Sequence, residues 1–159
     1  MAVLLSGCGS KTNPPFTDEQ LMEICDDVDS YVDDQIDGME YKDVYGTSDS
    51  EQDQEAHFYK VYNKLRDRAI KKHKISTNSP ITVTGKVSAV ETLKNGEIHI
   101  YLGDITNKKK VLYYPVICST YDEAFLAVEQ GDEITIEGVF YKKGRQEEHI
   151  SDCVLQTES

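Results

Sequence analysis

Four cysteines and four histidines are the side chains of this 159-residue sequence best suited to hold a metal ion or to act as nucleophiles. They are Cys8, Cys25, Cys118, Cys153, His57, His73, His99 and His149. A zinc site is usually indicated by two ligands a few residues apart, as in Cys-x-x-Cys or His-x-x-x-His, because one turn or one helix face then supplies both. No such pair occurs in the sequence. We therefore expect no metal site and no cofactor.

Other kinds of enzyme chemistry lack a signature as well. The sequence has no Gly-x-Ser-x-Gly motif, and no Cys or Ser has neighbours that indicate a base and an orienting carboxylate. Pairs of carboxylates do not indicate a catalytic site here, because the sequence has 29 acidic and 17 basic residues and a formal charge of -12, so such pairs are common. We expect a non-enzymatic protein. The same charge repels phosphate backbones and so disfavours nucleic acid as a partner.

Cys8 has a more informative context, since it directly follows Leu5, Ser6 and Gly7. These four residues resemble the lipobox of bacterial lipoproteins, where small residues admit a peptidase and the cysteine thiol takes a diacylglycerol. Most of a secretory signal does not precede them, which we interpret as a truncated start. A chance cysteine in an apolar N-terminus is the alternative. The resemblance implies a lipid anchor on Cys8, a membrane-anchored location in the cell envelope outside the cytoplasm, and residues 1–16 as signal remnant and tether.

Two helices are predicted over residues 17–76. Thr17 and Gln20 have the spacing of a capping box, and apolar residues then recur at helical steps. A loop is predicted at residues 41–50, where Gly, Ser and Thr are frequent, and a second helix over residues 50–73. No apolar run in the sequence approaches the roughly 20 residues of a membrane-spanning helix.

The two predicted helices differ in charge. Residues 17–55 contain 15 acidic side chains and one Lys, whereas residues 56–74 contain seven basic side chains and one Asp. We expect an antiparallel pair packed along an apolar seam. Attraction between exposed charges contributes little, about 0.2–1 kcal/mol for each pair.

The apolar period changes from 3.6 to 2 near Ile81, which predicts a separate domain of strands over residues 79–157. Asn95-Gly96 indicates a hairpin, and Gly85 within the first strand is expected to permit a bulge or a bend. Strands are predicted at residues 81–90, 97–102, 111–119, 133–141 and 149–156, with a helix at residues 121–130. Three strands, a helix and two strands are the connectivity of the OB-fold. The predicted class is α+β, an N-terminal helix pair followed by a five-stranded OB-fold-like Greek-key barrel with one helix between strands three and four.

Three segments of the barrel region carry a family resemblance. They are ITVTGKV at residues 81–87, GDEITIEGVF at residues 131–140 and SDCVL at residues 151–155. They are similar to OB-fold bacterial lipoproteins grouped as tRNA-anticodon-binding-like. The resemblance covers roughly residues 79–155 and implies the fold and the envelope location. It implies no activity, because members of the family are mostly of unknown function.

Cys118 and Cys153 are candidates for one disulfide. Strands three and five are neighbours in an OB barrel, so these residues can reach the Cα separation of about 5.5–6 Å that a disulfide prefers. An oxidising compartment would preserve the bond. The alternative is that both are small buried apolar residues. Cys25 lies on the apolar stripe of the first helix and is expected to be part of the core.

The outer face of strands two and three is the candidate binding face, because OB-folds bind oligonucleotides, oligosaccharides or peptides there. Its residues are His99, Tyr101 and Tyr113, with Lys108, Lys109 and Lys110 at the adjoining turn. Aromatic rings beside lysines suit single-stranded nucleic acid, but residues 75–159 hold 13 acidic against 8 basic side chains. Ordinary strand aromatics are the other interpretation. We expect a binding or interaction module with an envelope protein as partner and an unknown ligand; oligonucleotide binding is the alternative.

Overall fold

The computed structural model describes residues 14–103, 115–145 and 147–156. In chain order the elements are strand β1 (Phe16–Thr17), helices α1 (Asp18–Asp37), α2 (Tyr41–Tyr45) and α3 (Glu51–Lys72), strands β2 (Ser79–Thr92), β3 (Ile98–Leu102) and β4 (Val116–Thr120), a 3-10 helix (Glu123–Ala127), and strands β5 (Glu133–Phe140) and β6 (Ile150–Gln156). No helix within these ranges combines the length and the apolar character that crossing a membrane requires.

Strands β2 to β6 form a closed five-stranded mixed barrel, consistent with the expected OB-like fold. The neighbours follow the order β2-β3-β4-β6-β5, and β5 pairs back with β2. These pairings are antiparallel except that of β4 with β6, in which Cys118 lies opposite Ile150. The predicted contact between the third and fifth barrel strands is therefore confirmed. Strand β1 adds a short parallel pairing, with Phe16 opposite Val83, that the sequence did not predict.

Helix α1 begins at the predicted capping box. The Thr17 hydroxyl accepts a hydrogen bond from the Gln20 backbone N–H at 3.2 Å, and the Thr17 N–H donates to Gln20 Oε1 at 3.0 Å. One face of the helix is buried, comprising Leu21, Met22, Cys25, Val28 and Val32. This face packs α1 against α3 and against strand β2.

One hydrophobic core joins the helices to the barrel. Leu21 and Val28 of α1 and Ile70 of α3 belong to the same buried cluster as Ile100 and Phe140 of the barrel. All five side chains are fully buried. Burying one side chain of this size contributes about 1.5–3 kcal/mol. The helices are therefore held on the barrel by the same hydrophobic effect that stabilises the barrel itself.

Two short helices differ from the sequence prediction. The residues predicted as a loop at 41–50 include α2, where Val44 is buried and the Tyr45 ring stacks on Phe58 of α3 with centroids 5.6 Å apart. The helix predicted over residues 121–130 is a 3-10 helix of 5 residues. It buries one side chain, Phe125, so a longer helix would gain little from the core.

The bulge predicted at Gly85 lies elsewhere in β2. The bulge of β2 lies between Val87 and Ala89. At Gly85 the first residue of α1 approaches so closely that a Cβ on the glycine would lie 2.7 Å from Asp18 Cβ. Asp18 Oδ2 also accepts a hydrogen bond from the Lys86 backbone N–H at 3.4 Å. Gly85 therefore lets the start of α1 reach the barrel wall.

The cysteines in the described ranges are buried free thiols. Cys25 lies in the core, as expected from its place on the apolar stripe. Burial, and then the adjacent Cys153 thiol, raise the pKa of Cys118 well above its usual range. The two barrel thiols are thus neighbours, and a disulfide between them stays a prediction. Cys8 lies outside the described residues.

Candidate functional site

Strand β3 and the residue before it place three candidate functional side chains on the outer face of the barrel. Its alternate residues Ile98 and Ile100 belong to the core, so Glu97, His99 and Tyr101 face the other way. The Asn95-Gly96 hairpin fixes where this row begins, because Asn95 Oδ1 accepts a hydrogen bond from the Glu97 N–H at 3.0 Å. The predicted hairpin between β2 and β3 is confirmed.

The first half of this face is a set of polar side chains that we call the Glu97 cluster. It comprises Glu97, His99, Ser119, Tyr121, Arg145 and Glu148. Glu97 Oε1 lies 3.1 Å from His99 Nε2 and also pairs with Arg145 Nη2. The Tyr121 hydroxyl donates to Glu97 Oε2 at 3.2 Å. Both carboxylate oxygens of Glu97 are therefore hydrogen-bonded.

Glu148 closes the cluster from the loop before β6. Its Oε1 lies 3.5 Å from His99 Nε2 and 3.4 Å from Arg145 Nη2. The same Arg145 nitrogen lies 3.4 Å from the Ser119 hydroxyl of β4. One imidazole and one guanidinium are thus held between two carboxylates.

The Glu97 carboxylate is ionised although it is only 3 % exposed. Burial by itself would raise the pKa of Glu97, but the hydrogen bond from His99 and the charge of Arg145 outweigh it, so the pKa lies below its usual range. A buried carboxylate of this kind is stable only while its partners remain, because an uncompensated buried charge is costly.

The second half of the face borders a groove between α1 and the barrel, which we call the α1–barrel groove. Its volume is about 570 Å³. It is lined by Met22, Cys25, Asp26, Asp29, Tyr101, Pro115, Ile117, Glu147 and His149. The charged residues in this lining are carboxylates, and the others are mostly apolar.

Two of the groove carboxylates lie close to other acidic side chains, and the charge of Arg66 only partly offsets this at Asp29. Burial, and then the neighbouring Asp27, raise the pKa of Asp26. Burial, and then Asp33 and Asp26, raise the pKa of Asp29. The Tyr101 hydroxyl does not offset this charge, because it donates to Glu91 Oε2 at 3.1 Å. A cation placed in the groove would relieve the repulsion.

A buried arginine lies behind the groove. Arg66 of α3 is 4 % exposed, and its guanidinium carbon lies 4.5 Å from the centre of the Tyr141 ring. Its Nε and Nη1 atoms have no hydrogen-bond partner in the described part of the chain. The Tyr141 ring in turn contacts the His149 ring, with centroids 5.9 Å apart. The cation is thus separated from the groove by aromatic rings.

His149 is held as a neutral imidazole. Its Nδ1 accepts a hydrogen bond from the Ile117 backbone N–H at 2.9 Å, which requires an unprotonated nitrogen. Burial, and then the charge of Arg66, lower the pKa of His149 to about 4. His149 therefore adds no positive charge to the groove at neutral pH.

The predicted binding face is divided between these two features. His99 lies in the Glu97 cluster, where it is 7 % exposed and bonded to carboxylates, and Tyr101 lines the groove. Both rings have acidic neighbours. Stacking on nucleobases would favour rings without such neighbours, because carboxylates repel the phosphates of the nucleic acid. The remaining predicted residues, Tyr113, Lys108, Lys109 and Lys110, lie outside the described residues.

Five members of the cluster were not predicted from the sequence, namely Glu97, Ser119, Tyr121, Arg145 and Glu148. Glu97 had a signal, because it alternates with His99 on a predicted strand. Arg145 and Glu148 had none, since they come from the turn before β6 and meet Glu97 and His99 only when the barrel closes. The expectation of no metal site was based on the spacing of Cys and His pairs, and it stays a prediction.

A scan against protein-family models gave no match to this chain, and a search of curated proteins gave none either. The resemblance to the OB-fold lipoproteins therefore stays a prediction, which rests on the motif residues. The barrel topology agrees with the fold that the resemblance implies.

Proposed function

We propose that this protein is a lipid-anchored, non-enzymatic OB-fold module of the cell envelope that binds a basic, amphipathic segment of a partner protein. The binding site is the α1–barrel groove. The observation that carries the proposal is the combination of an apolar lining with three carboxylates, Asp26, Asp29 and Glu147, in one groove of about 570 Å³.

The size and the apolar lining of the groove suit a large side chain. Ligand sites in proteins commonly have volumes of about 300–1,000 Å³ and are mostly apolar. Met22, Tyr101 and Ile117 supply such a surface. The long stems of Lys and Arg bury against surfaces of this kind while the charged end stays near carboxylates.

The charge of the groove selects a cation. Burial and neighbouring carboxylates raise the pKa values of Asp26 and Asp29, so a bound guanidinium or ammonium would be stabilised by relieving that repulsion. Long-range attraction would also speed the encounter with a basic partner. The same charge repels the phosphates of an oligonucleotide, and we therefore favour a protein partner over single-stranded nucleic acid.

The lipid anchor is proposed from Leu5-Ser6-Gly7-Cys8. The OB-fold assignment is supported by the strand order β2-β3-β4-β6-β5 with β5 pairing back to β2. A module tethered to a membrane by one lipidated residue would present the groove to proteins near that membrane.

Neutralising two groove carboxylates should weaken binding of a basic peptide by roughly two- to thirtyfold, since each exposed charge pair contributes about 0.2–1 kcal/mol. The variant is Asp26→Asn with Glu147→Gln, both at exposed positions. The probe is a fluorescein-labelled peptide of alternating leucine and arginine, followed by fluorescence anisotropy at several NaCl concentrations.

The matched control is Glu129→Gln with Glu133→Gln, which removes the same charge from exposed positions outside the groove lining. It should bind the peptide like the wild type. Equal losses in both double variants, or binding of a peptide with Glu in place of Arg, would contradict the groove assignment. Salt-sensitive binding of a labelled single-stranded oligonucleotide instead would support the alternative function.

Membrane association should depend on Cys8. When the protein is expressed in its native organism, we expect it in the membrane fraction, with an intact mass increased by that of a lipid. The Cys8→Ala variant should appear in the soluble fraction and lack the added lipid mass. Cys25→Ala is the control, because Cys25 is a buried core thiol. A soluble, unmodified wild-type protein would refute the anchor.

A further inference from the structure

We propose that Glu97, His99 and Glu148 form a binding site for a divalent transition-metal ion such as Zn²⁺, and that the Arg145 guanidinium is a resident cation that the metal replaces. This site is separate from the groove. It uses Glu148, whereas the groove is lined by Glu147.

The three donor atoms lie near the spacing of a coordination shell. His99 Nε2 lies 3.1 Å from Glu97 Oε1 and 3.5 Å from Glu148 Oε1. One ligand atom from each of the three residues lies within 4.8 Å of the other two. Zinc bonds of about 2.0–2.2 Å in a tetrahedral shell separate ligand atoms by about 3.3–3.6 Å. Small rotations of the carboxylates would therefore place all three donors around one ion.

The donor set suits this class of metal. One imidazole nitrogen and two carboxylate oxygens are ligands that Zn²⁺ accepts, and three protein ligands leave a fourth position for water. The Tyr121 hydroxyl donates to Glu97 Oε2, so the other oxygen of that carboxylate is aimed at His99. Outer hydrogen bonds of this kind orient metal ligands.

The charges of the cluster favour a divalent ion over arginine. With a neutral imidazole, which coordination requires, Glu97 and Glu148 carry two negative charges and Arg145 balances one of them. A divalent cation would balance both. Buried carboxylates gain most from full compensation, because their unpaired charge is poorly solvated.

A small polar cavity borders the cluster on the side of Arg145. It has a volume of about 120 Å³, and its lining includes Glu97, Arg145, Ser151 and Asp152. The Ser151 hydroxyl is buried, and among the described residues it has no hydrogen-bond partner. The cavity can therefore hold water ligands, each of which occupies about 30 Å³. The Asp152 carboxylate, which pairs with Lys142 Nζ at 2.6 Å, also lines this cavity.

The test is calorimetric titration of tag-free, chelator-treated full-length protein with ZnCl₂ at pH 7.5. One ion should bind per chain. Glu148→Gln and His99→Gln should each weaken binding at least about tenfold, because each removes one of three ligands. Arg145→Ala should tighten it by roughly tenfold, since the competing cation is gone. Circular dichroism of each variant tests whether it is folded.

His73→Gln is the matched control. His73 lies 3.8 Å from Asp27, so it tests whether any histidine beside a carboxylate takes up zinc, and its removal should change neither stoichiometry nor affinity. Absence of stoichiometric zinc binding to the wild type would overturn the proposal. If Arg145→Ala binds zinc more weakly than the wild type, the claim that the metal replaces Arg145 is overturned. If folded Glu148→Gln binds zinc as the wild type does, Glu148 is not a ligand and the proposed ligand set is overturned.

Discussion

Lowering the pH from 7 to 4 should reduce the free energy of unfolding by about 2–3 kcal/mol through His149 alone. The pKa of this imidazole is lowered from 6.5 to about 4, first by burial and then by the charge of Arg66. Each unit of pKa difference between the unfolded and folded states corresponds to about 1.4 kcal/mol. One edge of the ring lines the groove, so solvent reduces the full effect.

The sign follows from where the proton binds. Between the unfolded pKa of 6.5 and the folded pKa of about 4, the unfolded state binds a proton that the folded state rejects. Stability is therefore complete above pH 6.5, falls as the pH decreases through this window, and levels off below it. The Ile117 N–H now donates a hydrogen bond to His149 Nδ1. Protonation of Nδ1 would replace this hydrogen bond by two N–H groups that point at each other.

Several groups packed near His149 affect how the stability of the protein depends on pH. Arg66 of α3 opposes protonation of His149, and the Tyr141 ring packs beside it. Asp29 of α1 and Glu147 line the same groove as His149. The raised pKa of Asp29 acts in the opposite direction, because the folded state then binds a proton more readily than the unfolded state. The contribution of His149 must therefore be isolated by substitution.

His149→Asn supplies that comparison, because its side-chain oxygen can accept from the Ile117 N–H without titrating. Urea unfolding at pH 7.5, 6, 5 and 4, with EDTA present, should show a smaller loss of stability for this variant than for the wild type. His73→Asn, at a partly exposed site beside Asp27, should keep the wild-type slope. Parallel curves for wild type and His149→Asn would show that His149 is not the group responsible.

The barrel was predictable because its signals are local. The alternation of apolar residues and the Asn95-Gly96 turn mark individual strands, and the order of elements then leaves few topologies. Strand β1 was missed because a pairing of two residues has no periodicity. The 3-10 helix was predicted too long, since Ala124 and Val128 extend the apolar spacing around Phe125 but are not in the buried part of the core.

The functional face was less predictable because it depends on contacts between distant segments. His99 and Tyr101 could be placed on one face by alternation alone. Their partners could not, since Glu148 and Arg145 reach His99 and Glu97 only when the barrel closes. Arg66 shows the same limit. Arg66 and Arg68 have similar sequence neighbours, yet of the two only Arg66 is buried. The ring of Tyr141, which is distant in the sequence, packs against the Arg66 guanidinium.

Gly138→Ala should reduce the free energy of unfolding by about 3 kcal/mol or more, because β6 crosses β5 too closely for a side chain at this position. A Cβ on Gly138 would lie 2.4 Å from Ile150 Cγ2, 2.7 Å from the Ser151 carbonyl oxygen and 3.2 Å from Cys153 Sγ. The Ile150 side chain is fully buried and the carbonyl belongs to the backbone, so neither can rotate away. Relief would require β6 to move, which would disturb the pairing that closes the barrel.

Thermal unfolding followed by circular dichroism measures this effect, and Gly96→Ala is the control. At Gly96 a Cβ meets nothing within 4 Å, so the cost arises only from its positive φ of 85° and should be about 1–2 kcal/mol. For a chain of this length 1 kcal/mol corresponds to about 2–4 °C in Tm. Gly138→Ala should therefore lower Tm by about 6–12 °C, and Gly96→Ala by clearly less. Equal shifts would mean that β5 and β6 are not packed so closely, because the steric cost at Gly138 would then be missing.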